Sequence, residues 1–450
     1  MNFQPVLLWS DVLLWLLAFG VAALCLYSRR ADHLRRAWRR LGKNSVATGA
    51  ATLLCAFLLV GLLDSLHYRL RLPDAPGQTG VVYAVEALSV LDGLLSNLRE
   101  HNERTYSAPL AARAFVMETE ETSAGVTRIY PRLKYGGAHL EDEDGWGVDV
   151  ARRVLTGVGL ALLCGGLMAG FVFRRRNKNG FAWRGVLVAL SVLFLVAFIL
   201  AELASVYHVF GTDKVGQDVL YQTLKSIRTA LVIGLVTTLI MLPLAVLLGI
   251  VAGYFRGWAD DVIQYVYTVL NSIPGVLLIA AAVLMMQVVI DTHPQWFATA
   301  AERADLRLIA LCVILGVTSW TGLARLLRGE TLKLRELDYI QAARAFGVSS
   351  GRIIVRHILP NLMHIVIISL VMDFSALVLA EAVLSYIGIG VDPAMHSFGS
   401  MINNARMELS REPAVWWSLV AAFSFMLTLV LAANLFADAM RDAFDPHRDR

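Results

Sequence analysis

Long apolar runs are the feature of this sequence that most limits what it can fold into. The chain has 450 residues, 57% hydrophobic and 17% charged, and apolar stretches of about 20 residues recur along it. A helix of that length crosses the roughly 30 Å hydrocarbon core of a bilayer, where each backbone polar group must be satisfied inside the segment. The sequence therefore predicts an all-α polytopic membrane protein and excludes a soluble globular fold.

Nine apolar runs with charged flanks are candidate transmembrane helices. They lie near residues 6–27, 45–63, 154–173, 185–206, 229–252, 262–290, 307–327, 361–384 and 414–437. The first run could be a cleavable signal peptide, but Asp11 precedes most of it and the basic cluster follows it, so we expect a retained helix. All four cysteines fall within these runs, and we expect small packing residues rather than disulfides or metal ligands: Cys25, Cys55, Cys164 and Cys312.

Basic residues predict the orientation. One connection carries a dense cluster, Arg29, Arg30, Arg35, Arg36, Arg39, Arg40 and Lys43, and a second cluster lies at 174–184. The positive-inside rule places both in the cytoplasm, with the N-terminus outside and the C-terminus cytoplasmic. Nine spans then also place 325–356 and the tail with Arg441, Arg448 and Arg450 inside, where their charges agree. The excess of basic residues thus lies largely in the predicted cytoplasmic connections between spans, and we expect no nucleic-acid partner.

A hydrophilic region, residues 64–153, separates the second and third spans and should face the outside. It begins with a turn-rich piece at 73–80 and continues into leucines at helical spacing, which predict a short helix: Leu88, Leu91, Leu94, Leu95 and Leu98. The acidic run 141–144 lacks the spacing of a calcium loop, so we expect a solvated loop. The chain thus divides into 1–63, 64–153, 154–184 and 185–446.

The apparent nucleotide-binding and metal-binding motifs lack the residues that such sites need. Gly211 and Gly216 have the spacing of a phosphate-binding loop, but Gln217 and Asp218 follow where Lys and Ser or Thr are needed. His357 and His364 lie two helical turns apart, too few ligands for a metal site. We expect no catalytic residue, no metal and no cofactor bound by this chain.

The polar segment 338–361, DYIQAARAFGVSSGRIIVRHILPN, is the strongest motif. It resembles the cytoplasmic EAA loop of permease subunits in bacterial binding-protein-dependent ABC importers. Two motif positions differ, since Gln341 stands for the usual Glu and His357 for Ile; the positions that match are Ala342, Ala343, Gly347, Leu359 and Pro360. The ending HILPN is similar to the dipeptide and oligopeptide subfamily, which also includes nickel permeases.

Further segments resemble the C-type subunit of the same family, in the same order. GTDKVGQDVL is similar to the family's GTDxxGRDV, with matches at Gly211, Thr212, Asp213, Gly216 and Asp218. The others lie at 253–261, 271–278, 379–390 and 434–446. The resemblance covers about 185–446 and leaves 1–184 outside it.

The resemblance implies a non-catalytic subunit in the bacterial inner membrane, with a six-helix type I permease core from the fourth span onward. Its expected partners are a second homologous permease, two ATPase subunits that bind ATP and magnesium, and an extracytoplasmic binding protein that delivers peptides or similar solutes. Segment 338–361 would dock on an ATPase, with Phe346 as apolar anchor and Gly347 turning the chain. Pro360 should end the helix there.

Residues of a translocation pathway are less sharply marked. Asp373 is an ionisable group part-way along the eighth span, which points to a pathway or a subunit interface. Three residues could loosen the sixth span, namely Asn271, Ser272 and Pro274. For these positions simple helix packing is an equal alternative.

Three charged residues lie near predicted outer helix ends. Arg228 could meet a peptide carboxylate or pair with Asp213 or Asp218. Glu202 and Glu381 should be solvated at the interface.

Two other classes of protein remain. An ion-coupled secondary transporter would need coupling-ion residues at corresponding places in two repeats, and the sequence shows only isolated carboxylates. A membrane receptor or scaffold would use region 64–153 for sensing but would leave segment 338–361 unexplained.

Overall fold

Helices dominate the computed structural model, which describes residues 3–28, 32–72, 83–122, 125–140, 145–174, 181–297 and 299–444. The helices of the N-terminal part are α1 (Trp9–Ser28), α2 (Asp32–Leu41), α3 (Ser45–Asp64), α4 (Val90–Leu94), α5 (Ser96–Glu100) and α6 (Trp146–Arg174). Those that follow are α7 (Trp183–Ala204), α8 (Val219–Phe255), α9 (Trp258–Ser272), α10 (Gly275–Thr292), α11 (Ala300–Ser319), α12 (Thr321–Arg335), α13 (Asp338–Ala345), α14 (Ser350–Ile353), α15 (Leu359–Tyr386), α16 (Phe398–Glu408) and α17 (Trp417–Phe444).

Eight helical stretches of the described chain are long and apolar enough to cross a membrane. They are α3, most of α6, α7, α8, α10, α11 with α12, the run from α14 through α15, and α17. The shorter apolar stretch Trp9–Gly20 in α1 corresponds to the first predicted run, 6–27. The predicted helical membrane class is therefore confirmed.

The sixth predicted span, 262–290, is wrong as a single helix. α9 ends at Ser272 and α10 begins at Gly275, with Ile273 in an extended conformation between them. Pro274 explains the break, because it lacks an amide hydrogen and disfavours helical geometry at the residue before it. Only α10 is long and apolar enough to span.

Short strands add to the helices at one end of the molecule. Strand β1 (Phe3–Val6) pairs antiparallel with β2 (His67–Leu70), and β2 pairs with β3 (Leu88–Ser89). Because β1 precedes α1 and β2 follows α3, this pairing places the start of α1 and the end of α3 on the same side of the molecule. A separate hairpin joins β4 (Glu118–Thr122) to β5 (Gly125–Ile129). The predicted leucine-rich helix is present as two short helices, α4 and α5, while 73–80 and 141–144 lie outside the described residues.

The opposite end of the molecule carries α2 and the end of α17. Leu41 of α2 is buried with Ala439, Met440 and Ala443 of α17 in one apolar cluster, and Trp38 packs against it. α2 and the C-terminal end of α17 therefore share a side, as nine alternating spans require. The assignment of that side to the cytoplasm stays a prediction from the basic residues, of which Arg29, Arg30, Arg448 and Arg450 lie outside the described residues.

The N-terminal helices pack directly on the rest of the chain. α3 contacts α7, α8 and α17, and α6 runs along α7. α3 and α7 cross closely at Gly185, where an added Cβ would lie 2.0 Å from the carbonyl oxygen of Ser45. Small residues at such crossings let two backbones approach in a membrane.

Replacing Gly185 by Leu should separate α3 from α7 and destabilise the folded chain by about 1–3 kcal/mol or more, because the added side chain meets backbone. Gly170→Leu in α6 is the matched control, since nothing lies within 4 Å of its added Cβ. Thermal unfolding of both variants in the same detergent measures the difference. Equal unfolding temperatures for the two variants would contradict the crossing.

Candidate functional site

The polar segment 338–361 begins with a short capped helix. α13 ends in a Schellman motif, in which the Val348 amide donates to the Ala343 carbonyl at 3.1 Å and the Gly347 amide to Arg344 at 3.0 Å. Gly347 has φ +77°, a left-handed conformation that favours glycine, and open space surrounds it. Gly347 is thus required by backbone conformation and not by crowding.

α13 presents one side to the protein and the other to its surroundings. Ile340 is fully buried, whereas the Phe346 side chain at the end of the helix is 86% exposed. Gln341 and Ala342 are exposed, and Ala343 is half-buried. An aromatic side chain projecting next to small residues is an arrangement that suits insertion into a groove of a partner.

Gln341 has a local partner of its own. Its side-chain amide donates to the Glu336 carbonyl at 3.1 Å and lies 3.5 Å from the Glu336 carboxylate. The Glu336 carboxylate in turn accepts from Arg256 at 2.8 Å. A glutamate at 341 would place a second negative charge beside Glu336, so the amide suits this environment.

The prediction that Pro360 ends the helix is wrong. The backbone is helical without interruption from Ser350 to Tyr386. A π-helical turn at Ile354–Ile358 precedes the proline, and the Leu359 amide donates to the Ile354 carbonyl, five residues back. The wider turn accommodates a residue that lacks an amide hydrogen and would clash in a regular helix.

The end of segment 338–361 is tied back to its beginning. The Asn361 side chain donates to the His357 carbonyl at 2.7 Å and to the Tyr339 hydroxyl at 3.2 Å. Tyr339 and His357 rings lie 6.1 Å apart. His357 and Leu359 are half-buried and Pro360 is exposed. α13 and the start of the 350–386 helix are therefore connected by direct bonds.

The predicted pathway residues lie on different helices. Asn271 and Ser272 are exposed at the break between α9 and α10, where Asn271 accepts a hydrogen bond from Thr321 at 3.1 Å. Pro274 directly precedes α10. Asp373 is half-buried on α15. The structure places these residues without assigning them a role, so the pathway stays a prediction.

Arg228 lies in a buried network that the sequence did not predict. Its guanidinium Nη2 donates to Asp11 at 2.6 Å and to the Ser10 hydroxyl at 2.8 Å. The Ser10 hydroxyl donates to Asp305, and His67 Nδ1 lies 2.8 Å from the second Asp11 oxygen. The network thus joins α1, β2, α8 and α11.

The expected pairing of Arg228 with Asp213 or Asp218 is wrong. Asp213 accepts from the backbone amides of Val215 and Gln217 at 3.0 and 2.9 Å. Asp218 caps the start of α8 by accepting from the amides of residues 220 and 221. Both carboxylates are engaged by their own loop, which leaves Arg228 to Asp11.

A second cation of α8 is held in the same way. The Lys225 ammonium lies 2.6 Å from Asp64 and 3.0 Å from Asp92. Ser89 donates to Asp64 at 2.7 Å. Burial alone would raise the pKa of Asp92, but Lys225 and the Ser89 amide hold that pKa below its usual range. The partners of both α8 cations therefore come from residues 1–184.

The loop 211–218 packs against residues of the hydrophilic region 64–153. Thr212 donates through its amide to the Ser107 carbonyl at 3.1 Å, and its hydroxyl accepts from the Ser107 amide at 2.7 Å. A Cβ at Gly211 would lie 2.3 Å from the Ser107 carbonyl, and one at Gly216, with φ +77°, 1.9 Å from that of Glu103. Glycine at these two positions therefore lets the backbone of the loop lie directly against region 64–153.

His208 joins that region to the start of α8. His208 Nδ1 lies 2.8 Å from Asp218, and Nε2 lies 3.5 Å from Glu103. Burial alone would lower the pKa of His208, but the two carboxylates raise it to about 9. The pKa of Glu103 falls to about 2 despite burial, because His208 and the amides of residues 134–136 stabilise the carboxylate.

The expectation that Glu381 is solvated also needs correction. Glu381 is buried, not solvated, and accepts from Ser385 at 2.6 Å; Glu202 is half-buried near the end of α7. Of the described cysteine side chains, Cys312 is buried, Cys164 is half-buried and Cys55 is exposed, so only Cys312 is fully packed.

Comparison with known proteins decides the class. Residues 245–450 match the family of binding-protein-dependent transport system inner membrane components. The oligopeptide transport system permease protein OppC of Mycobacterium tuberculosis is 34% identical over 239 residues, 53% of this chain and 76% of that protein. The chain belongs to this family. It is therefore an ABC importer permease, a multi-pass translocation component of the inner membrane.

Two further relatives agree. The glutathione transport system permease protein GsiD of Pectobacterium atrosepticum is 34% identical over 239 residues, 53% of the permease and 72% of that protein. The dipeptide transport system permease protein DppC of Bacillus subtilis is 30% identical over 290 residues, 61% of the permease and 84% of that protein. Membership of this family sets aside the secondary-transporter and receptor alternatives.

Replacing Asp11 by Asn in the permease should lower the free energy of unfolding by about 3 kcal/mol, because Arg228 would stay buried without a counter-charge. Asp291→Asn, which removes an exposed carboxylate, should change it little. Adding Arg228→Gln to Asp11→Asn should recover part of the loss. Thermal unfolding in detergent compares the wild type, the two single variants and the double variant. An Asp11→Asn variant as stable as Asp291→Asn would exclude a stabilising ion pair between Asp11 and Arg228.

His208 should make the permease less stable as pH rises. Its folded pKa of about 9 exceeds the ordinary 6.5, so its pairing contributes fully below pH 6.5 and is lost as pH passes through 9. The contribution is at most about 3 kcal/mol. Unfolding of the wild type and His208→Gln at pH 6 and pH 10 tests this, with the larger difference expected at pH 6. A difference that does not depend on pH would rule it out.

Proposed function

We propose that this permease moves peptides or similar small solutes into the cytoplasm after an extracytoplasmic binding protein delivers them. A second homologous permease completes the pathway, and two ATPase subunits supply the energy. The chain itself performs no bond chemistry and binds no cofactor, while ATP and magnesium belong to the ATPase subunits. The projecting, glycine-capped helix α13 is the observation that carries this proposal.

Docking of an ATPase on segment 338–361 is supported by the shape of α13. Phe346 is exposed at its end, and Ala342 and Ala343 beside it are small enough for close approach. Burying an exposed aromatic side chain in a partner groove contributes on the order of 1.5–3 kcal/mol. The Schellman motif fixes where Phe346 points, so little ordering is needed on binding.

Transmission of movement from α13 is supported by its bonds on both sides. Gln341 and Glu336 connect α13 to the end of α12, and Asn361 connects Tyr339 to the helix that runs from Ser350 to Tyr386. These helices contact α8 along their lengths. A displaced α13 therefore moves stiff elements that reach across the membrane, as alternating access requires.

The pathway residues remain proposals with distinct support. Asp373 is an ionisable side chain within a span, and such groups usually face a pathway or a protein interface. The break at Ile273 and Pro274 frees backbone groups between α9 and α10, which is tolerated in a membrane where a cavity is lined. Arg228 is not proposed for the pathway, because its guanidinium already forms a buried ion pair with Asp11.

The substrate class rests on the relatives. The names of the three similar permeases refer to oligopeptide, glutathione and dipeptide transport. These are peptides of different length, so we propose peptides as the solute class and leave selection among them to the binding protein.

Gly347→Val should abolish uptake of a peptide by cells that depend on this importer, because a β-branched residue is strained at φ +77° and would redirect Phe346. Gly347→Asn is the matched control, since asparagine tolerates this conformation, and uptake should be largely retained.

A pull-down of the permease separates docking from substrate. Phe346→Ala should reduce copurified ATPase subunits severalfold while the second permease stays bound and membrane insertion is unchanged. Normal ATPase recovery with both Gly347→Val and Phe346→Ala would refute docking on this segment. Copurified ATPases without peptide uptake would refute only the peptide class.

A further inference from the structure

Helix α13 is inserted into the permease by one side chain. Of its eight residues only Ile340 is buried, with an exposure of 0%. Ala343, one turn further along, is half-buried and packs against the same apolar cluster. Positions three apart lie on one face of a helix, so Ile340 and Ala343 form the inner face of α13. Ala342 and Phe346, four positions apart, lie on the exposed face.

The apolar cluster that contains Ile340 connects several membrane helices. Its other buried members come from α8, α9, α12 and the helical stretch Ser350–Tyr386, and they include Tyr254, Tyr267, Leu327 and Ile358. Among the described residues, this Ile340 cluster shares no buried side chain with the larger apolar cluster around Val232 and Leu311. Close-packed interiors transmit strain, so a force on Ile340 reaches all the helices of its cluster.

The polar bonds of α13 hold it less firmly. The hydrogen bonds from Gln341 to the Glu336 carbonyl, at 3.1 Å, and from Asn361 to the Tyr339 hydroxyl, at 3.2 Å, are both exposed to solvent. Water replaces an exposed hydrogen bond at little net cost. Withdrawing Ile340 would instead leave a void in a packed core and forfeit its dispersion contacts. A load on α13 is therefore carried by Ile340 before it is carried by these bonds.

We propose that Ile340 is the positioning residue through which movement of α13 reaches the membrane helices. This inference rests on the docking of an ATPase on segment 338–361 proposed above. Phe346 meets the ATPase on one face of α13, and Ile340 holds the opposite face in the Ile340 cluster. Because Ile340 is buried, it acts through the helices that share its cluster and not by contact with the ATPase.

The assembled importer in proteoliposomes tests this through the amount of peptide imported per ATP hydrolysed, with radiolabelled trialanine as the peptide. Ile340→Ala removes the anchor and should lower this coupling ratio by about two- to thirtyfold, the range for packed residues that couple two sites. ATPase subunits should copurify as with the wild type, because Phe346 is unchanged. Ile340→Met keeps most of the volume and should restore the ratio.

Ile250→Ala is the matched control for the loss of packing. Ile250 is buried in the same cluster but lies on α8, so its truncation leaves a similar void without detaching α13. Both variants should unfold at similarly lowered temperatures, whereas only Ile340→Ala should lose coupling. Equal coupling ratios in the two variants would overturn the proposal. Loss of copurified ATPase subunits from Ile340→Ala would also overturn it, because Ile340 would then serve docking.

A distance measurement tests the anchor without a transported peptide. Spin labels on Asp338→Cys in α13 and Met363→Cys in α15, in a chain whose four native cysteines are replaced, report the separation of the two helices. ATP with vanadate should leave this distance unchanged when Ile340 is present and should alter it with Ile340→Ala, or with the milder Ile340→Val if Ile340→Ala does not fold. A constant distance in the Ile340 variant would contradict the anchor. A wild type that retains no ATPase subunits would instead refute the docking on which the inference rests.

Discussion

The buried ion pair between Arg228 and Asp11 is the interaction on which the packing of α1 and α8 in this permease depends. α8 has 37 residues and contacts α11, α12 and α15, so its position sets theirs. A buried guanidinium needs a hydrogen-bonded counter-charge, and Asp11 supplies it from outside the part that matches the permease family. Lys225 repeats the arrangement with Asp64 and Asp92. The N-terminal region is thus a structural component of the permease, because it supplies the counter-charges of α8.

The sequence predicted what depends on local pattern. Hydropathy located most of the spans, and the sequence of segment 338–361 predicted the turn at Gly347. It missed what depends on distant partners: Asp11 for Arg228, 217 residues apart, and the burial of Glu381. The sequence did contain a signal for the pairing of Arg228. Asp11 and Asp64 are acidic, Lys225 and Arg228 are basic, and all four lie near the ends of apolar runs. No local rule pairs them, since such pairs form only once helices are packed.

Two prolines have different effects from those predicted. Pro274 breaks an apolar run that was expected only to be loosened there, whereas Pro360 lies in a helix that was expected to be interrupted. A proline removes one hydrogen bond and crowds the preceding turn, and the structure can respond by ending the helix or by widening it. The π-helical turn at Ile354–Ile358 takes the second course, and nothing in the local sequence decides between them.

The two ends of the permease are built for different mechanical roles. At one end, Arg228, Lys225 and His208 connect α8 to residues 1–184, so these parts should move as one body. Away from that contact, α13 is attached by the buried Ile340 and a few hydrogen bonds, and it exposes Phe346. The displacement of α13 proposed above would have to be absorbed between these two parts. The extended residue Ile273, between α9 and α10, lacks the helical hydrogen bonds that stiffen its neighbours, and we expect the hinge there.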